Sequence, residues 1–144
     1  MIYPTMNINE LIPGSDNFMW REFLYLKSLE IYVFPNNIVM DELMRLANVM
    51  EKIRSLCGDR PINTHDHSVY RPYIYNKYIK GATKSYHVRG MACDFDVKGL
   101  SCDLVREKLE PHLIDLGIRM ENKPGSSWVH IDRGEVIKNR FFKP

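Results

Sequence analysis

Ser85-Tyr86-His87-Val88-Arg89-Gly90-Met91-Ala92-Cys93-Asp94 decides how this chain folds, because it sets a histidine and an aspartate seven residues apart across a glycine. On one continuous helix that offset would separate the two side chains by roughly 10 Å along the axis, at about 1.5 Å per residue. Such a gap is too wide for one shared metal ion, whose His and Asp ligand atoms sit about 2 Å away. A turn at Gly90 followed by a strand from Ala92 doubles the chain back and delivers Asp94 toward His87. The spacing therefore predicts loop then strand, and it reads as two thirds of a zinc site.

The best third ligand is His130, in Ser126-Ser127-Trp128-Val129-His130-Ile131-Asp132. Strand alternation puts Trp128, His130 and Asp132 on one face, with Val129 and Ile131 toward a core. Applied to Ala92-Cys93-Asp94-Phe95-Asp96-Val97, the same rule groups Ala92, Asp94 and Asp96 against Cys93, Phe95 and Val97. Two neighbouring strands would thus present Asp94 and His130 to a common cleft, and Cys93 reads as a small buried thiol rather than a ligand.

Ser85-x-His87-x-x-Gly90-x-Ala92-x-Asp94 followed by Trp128-x-His130 resembles the zinc D-Ala-D-Ala carboxypeptidase and L-alanyl-D-glutamate endopeptidase family, which shares its metal-site fold with the hedgehog signalling domain. The resemblance continues upstream through Ser68-Val69-Tyr70-Arg71, Asn76 and Gly81-Ala82, and through a helix ending Ile53-Arg54-Ser55-Leu56-Cys57-Gly58, covering roughly residues 18 to 134. It implies an α+β fold in which a small antiparallel sheet carries the zinc site and packs against helices. It also implies one zinc ion held by His87, Asp94 and His130, Arg71 as a substrate-binding residue, and hydrolysis of peptidoglycan stem peptides. A D,D-carboxypeptidase or an L-Ala-D-Glu-type endopeptidase is expected, as in phage endolysins.

Two neutral imidazoles and one carboxylate leave a zinc centre with a formal charge of about +1 and an open fourth position. Water there can ionise near pH 7, roughly, and the metal polarises the scissile carbonyl. Arg71 suits a substrate carboxylate, because a guanidinium fork matches it in a bidentate way; Ser85 can hydrogen-bond the same peptide. The general base is the open question. Many relatives carry Glu or Asp three residues before the last histidine, where this chain has Ser127. Without a substitute, about 10²- to 10⁴-fold in rate is lost. Asp132, on the ligand face, is the first substitute, Glu121 the second and His67 the third. Ser127 also keeps a second reading open, a zinc-binding structural or binding protein with lost or weak catalysis.

The 144 residues suit one domain, with residues 1–15 as a surface arm, 16–134 as the core and 135–144 as a tail. A net charge of +2 implies only mild attraction to polyanions. A nucleic-acid-binding module, suggested by the basic tail from Lys138 to Lys143, lacks any recognised motif, so no nucleic acid is expected as partner and the chain is expected to be a monomer. Cys57, Cys93 and Cys102 are too few for a disulfide scaffold. No secretory signal is visible at Met1–Met6, and no run approaches about 18 apolar residues. Synthesis in the cytoplasm, with release by lysis or carriage in a virion, would then bring the protein to a cell wall.

Along the chain, Asp16 or Asn17 is expected to cap a short helix through Leu24. An amphipathic helix runs from Ile38 to Cys57, with Leu43, Leu46, Ala47, Met50 and Ile53 at three- and four-residue steps. Pro61–Thr64 reads as a strand and Pro72–Tyr78 as a short helix or turn. Ser101 reads as the N-cap of a helix through Leu116 that Pro111 divides and Gly117 closes. Ile118–Met120 and Trp128–Asp132 read as strands. His65-Asp66-His67 reads as a polar loop rather than a second metal pair, and the tyrosines at 70, 73, 75 and 78 read equally as packing or as a groove.

Overall fold

A computed structural model describes residues 6–144. Its elements run α1 (Trp20–Leu24), β1 (Tyr25–Leu26), β2 (Ile31–Tyr32), α2 (Asn37–Leu56), β3 (Ile62–Asn63) and α3 (Tyr73–Tyr78). A 3₁₀ turn at Tyr86–Arg89 then leads into β4 (Ala92–Val97), α4 (Cys102–Leu109), α5 (Leu113–Leu116), β5 (Arg119–Glu121), β6 (Val129–Asp132) and β7 (Phe141–Phe142).

Helix α2 forms where the apolar spacing predicts it. The Asn36 side chain accepts from Val39 N at 2.9 Å, satisfying one of the unpaired N–H groups at the helix start. Val39, Leu43, Leu46, Ala47, Met50 and Ile53 bury one face. Leu43 and Leu46 are fully buried, so truncating either to alanine costs about 2–5 kcal/mol.

That face packs on a five-stranded sheet of order β3-β4-β6-β5-β7. The sheet is antiparallel except for the β5–β7 pair, which is parallel. Cys93, Phe95, Val97, Met120, Val129 and Ile131 turn inward and are buried, as the alternation requires. α4 begins where the Ser101 hydroxyl accepts from Leu104 N at 3.1 Å. Pro111 falls in a 3₁₀ turn between α4 and α5, because proline supplies no N–H for a continuous ladder.

Two segments depart from the sequence reading. The N-terminal arm is exposed along most of its described portion but is pinned to the core at Ile12, which is fully buried, and Leu11 bridges to Met19. Asp16 and Asn17 cap nothing. Their backbone N–H groups donate to the Glu51 carboxylate on α2 at 3.1 and 2.8 Å, beside the Ser15 hydroxyl at 2.7 Å. Met19 starts α1 instead, its N–H donating to Glu22 at 2.7 Å. The C-terminal tail is likewise anchored. Met120 N donates to Arg140 O at 2.7 Å and Asn122 N to Phe142 O at 2.6 Å, making β7 an edge strand. Pairing between such distant segments leaves no local pattern for a sequence reading to find.

Candidate metal centre

The β4–β6 register pairs Asp94 with His130 directly, and cross-strand partners project from the same face. His87 reaches that face from the 3₁₀ turn, where the Ser85 hydroxyl accepts from His87 N at 3.2 Å. Gly90 ends the turn at φ 70°, and a Cβ there would come within 2.9 Å of Val39 Cγ1 and 3.1 Å of the Val39 carbonyl oxygen. Only glycine combines that left-handed backbone with so close an approach to α2. His87, Asp94 and His130 each offer one ligand atom, and these atoms lie within 4.8 Å of one another; among the described residues they form the one such group.

Hydrogen bonding fixes which nitrogen of each ring faces the cluster. His87 Nδ1 lies 2.7 Å from Val69 O, so it must carry a proton and donate it, since a carbonyl only accepts. Burial lowers the His87 pKa and keeps the ring neutral, although Asp94 opposes this. Its Nε2 therefore presents a lone pair to the cluster. That atom is buried with no hydrogen-bond partner among the described residues; it lies 3.3 Å from Asp94 Oδ2 without the geometry of a bond. An unpartnered buried nitrogen is costly, and a cation among these three side chains would satisfy it. The donor set fits a metal.

His130 is held from both sides. Its Nε2 donates to Asp132 Oδ2 at 2.9 Å, and its Nδ1 faces Asp94 Oδ1 at 2.8 Å. Burial would depress the imidazole, but the two carboxylates outweigh it and push its pKa up to about 9. A cation at Nδ1 competes with that proton. Burial would likewise raise Asp94, yet the hydrogen bond and charge of His130 hold it well below the usual carboxylate range.

The cluster lies in an open cleft of about 670 Å³, whose walls include Arg71, Ser85, Glu121 and Trp128. Arg71 Nη2 stands 3.6 Å from Asp94 Oδ2, and its Nη1 donates to Asn76 Oδ1 at 3.1 Å. Asn76 in turn donates to Ala82 O at 2.9 Å. Arg71 Nε is buried and unpartnered among the described residues. Burial lowers the guanidinium pKa, with Asp94 opposing. Glu121 ends β5, where it pairs with Phe142 of β7, and it lines the cleft on the same strand face as Arg119.

The expectation that Asp132 is the leading general base is corrected by its surroundings. Its Oδ1 accepts from Arg119 Nε at 2.8 Å and Gly134 N at 2.9 Å, and its Oδ2 from Arg119 Nη2 at 2.9 Å as well as His130. The carboxylate is 1% exposed. Burial raises its pKa, but the bonds from His130 and Arg119 prevail and bring it to about 2, and both oxygens are already engaged. His67 is committed elsewhere, 2.6 Å from Asp96. Ser127 is exposed. Sequence reasoning missed Arg119 and Phe142, which only the strand register brings to the site, and Tyr86, which stands beside His87 in the motif without carrying a chemical signal of its own.

The sheet thus presents, in an open cleft, a His-Asp-His cluster that could hold a metal ion. The family model Peptidase M15 matches residues 25–132, and the chain belongs to that peptidase family. A search of curated proteins finds no match to the chain. Among the described residues no helix is long and apolar enough to cross a membrane.

Proposed function

We propose that this protein is a zinc-dependent peptidase that hydrolyses peptide bonds in peptidoglycan stem peptides, as a D,D-carboxypeptidase or an L-Ala-D-Glu-type endopeptidase. The observation that supports it most is the convergence of His87, Asp94 and His130 on one unpartnered nitrogen within a cleft that also holds Arg71. When bound there, a zinc ion supplies Lewis acidity for a carbonyl and makes water ionisable near neutral pH.

The chain's own residues supply the rest. Arg71 is the cation for a substrate carboxylate, its guanidinium pre-positioned by Asn76 so that little freedom is lost on binding. Ser85, at the cleft wall beside His87, can hydrogen-bond the same peptide. Glu121 is the general base: its carboxylate lines the cleft, and no other side chain claims it among the described residues. It takes a proton during attack and returns it to the leaving amine. Asp132 keeps His130 turned so that Nδ1 faces the cluster.

The second reading, a zinc-binding protein without turnover, is favoured by Ser127 at the position where many relatives carry their base. Amino-group release from purified peptidoglycan and from a D-Ala-D-Ala peptide separates the two. The zinc-loaded chain is expected to release amines, and Glu121→Gln to lose about 10²- to 10⁴-fold in rate while keeping its zinc. No release from either substrate at full zinc loading would sink the peptidase reading and leave the binding one.

A further inference from the structure

We propose that Arg119 is a positioning residue of the metal centre, and that the C-terminal strand β7 holds it in place. The inference rests on the zinc reading above and concerns how that site is kept in shape.

His130 can serve only if its ring is held with Nδ1 toward Asp94, and the bond from Nε2 to Asp132 sets that orientation. Asp132 is itself a nearly fully buried anion near Asp94, an arrangement that is costly unless a cation offsets it. Arg119 is that cation. It meets Asp132 with two parallel bonds of 2.8 and 2.9 Å, a fork that fixes the carboxylate plane as well as its charge. The guanidinium carbon lies 4.4 Å from the Phe142 ring centroid and 5.3 Å from that of Tyr86.

Both rings also belong to the site. Tyr86 precedes His87 in the 3₁₀ turn, and a Cβ on Gly134 would come within 2.3 Å of its ring, so the chain after β6 closes tightly over it. Phe142 meets the His130 ring edge-on, with centroids 6.1 Å apart and an interplanar angle of 89°. Strand β7 thus touches the centre twice, once through Arg119 and once through His130.

The rival role for Arg119, direct contact with substrate, follows from its place on the cleft wall and predicts a different result. The test measures zinc affinity of the full chain by competition with a chromophoric chelator. Thermal melting without added zinc is recorded alongside, as is KM on the stem peptide. Arg119→Ala should weaken zinc binding by about 10- to 100-fold. Arg119→Lys should recover only part of this, because an ammonium lacks the fork. Phe142→Ala should weaken it by a smaller factor and Phe142→Tyr restore it. If Arg119→Ala loses cooperative melting, Arg119→Lys and Phe142→Ala carry the same comparison. Variants that bind zinc as tightly as the wild type while KM rises would overturn the proposal in favour of substrate contact. Failure of the wild type itself to bind zinc would instead remove the reading on which it rests.

Discussion

Strand β4 carries two histidine–carboxylate arrangements two residues apart, and they differ in one respect that matters. At Asp96, the carboxylate sits 2.6 Å from His67 Nε2 and 3.0 Å from the Asn63 amide, and the polar groups satisfy one another. At Asp94, two histidines and Arg71 converge, yet His87 Nε2 is left buried without a bond. Residue types alone do not separate the two, since a histidine meets an aspartate of β4 in both. The distinguishing mark is an unfilled valence at a point where several donors meet.

Removing a ligand is the strongest way to test that contrast. His87→Ala and Asp94→Asn are expected to abolish stoichiometric zinc binding, whereas Asp96→Asn and His67→Ala should each retain one zinc per chain, as counted by atomic emission on the dialysed protein. Loss of zinc in the Asp96 variant would erase the difference between the arrangements.

Metal addition gives a smaller but more graded comparison. Zinc at about 100 times its dissociation constant stabilises a protein that binds it only when folded by about 2.7 kcal/mol. For a chain of this size that amounts to several degrees of melting temperature. Wild type and His67→Ala should rise by the same increment, and His87→Ala should not rise.

The satisfied pair has its own signature. His67→Ala leaves Asp96 with the Asn63 amide as its remaining neighbour and should cost about 1–3 kcal/mol in urea unfolding, with the zinc increment unchanged. A smaller effect belongs to Glu51, a second carboxylate whose bonds are all internal. Burial opposes its ionisation, but the bonds from Asn17, Ser15 and Asp16 prevail and lower its pKa from 4.5. A lowered folded-state pKa contributes stability above the unfolded value and loses it as pH falls through the folded one. Glu51→Gln should therefore cost about 1 kcal/mol at pH 7, and the gap should close below pH 4.5.

Much of this was legible in the sequence, and the boundary of legibility is physical. β4 spans Ala92–Val97 as the alternation predicts, Gly90 turns left-handed, Ser101 caps α4 and Pro111 divides the helix. Each of these is settled within a few residues of chain. Asp94 and His130 were legible as candidates because strand periodicity fixes which residues share a face, and His87 because its seven-residue spacing from Asp94 across Gly90 calls for a turn. What stayed hidden depends on register between distant segments. Asp132 looked like a free base because its face could be read while its partner could not, Arg119 being thirteen residues away on another strand. β7 read as a solvated tail for the same reason: Phe141 and Phe142 find Met120 and Glu121 only in the folded sheet.

The pairing of Asp94 with His130 also sets how this gene can change. Because side chains alternate with a period of two, one residue inserted or deleted within β4 or β6 would turn every face over, offering Cys93 or Ile131 where a ligand belongs. Point substitutions around the cleft can shift the site by degrees, but length changes in these two strands act all at once. Viable insertions and deletions should therefore collect outside them, in exposed connections such as residues 123–125 and 135–139, so that length variation among relatives would outline the candidate metal centre by leaving it untouched.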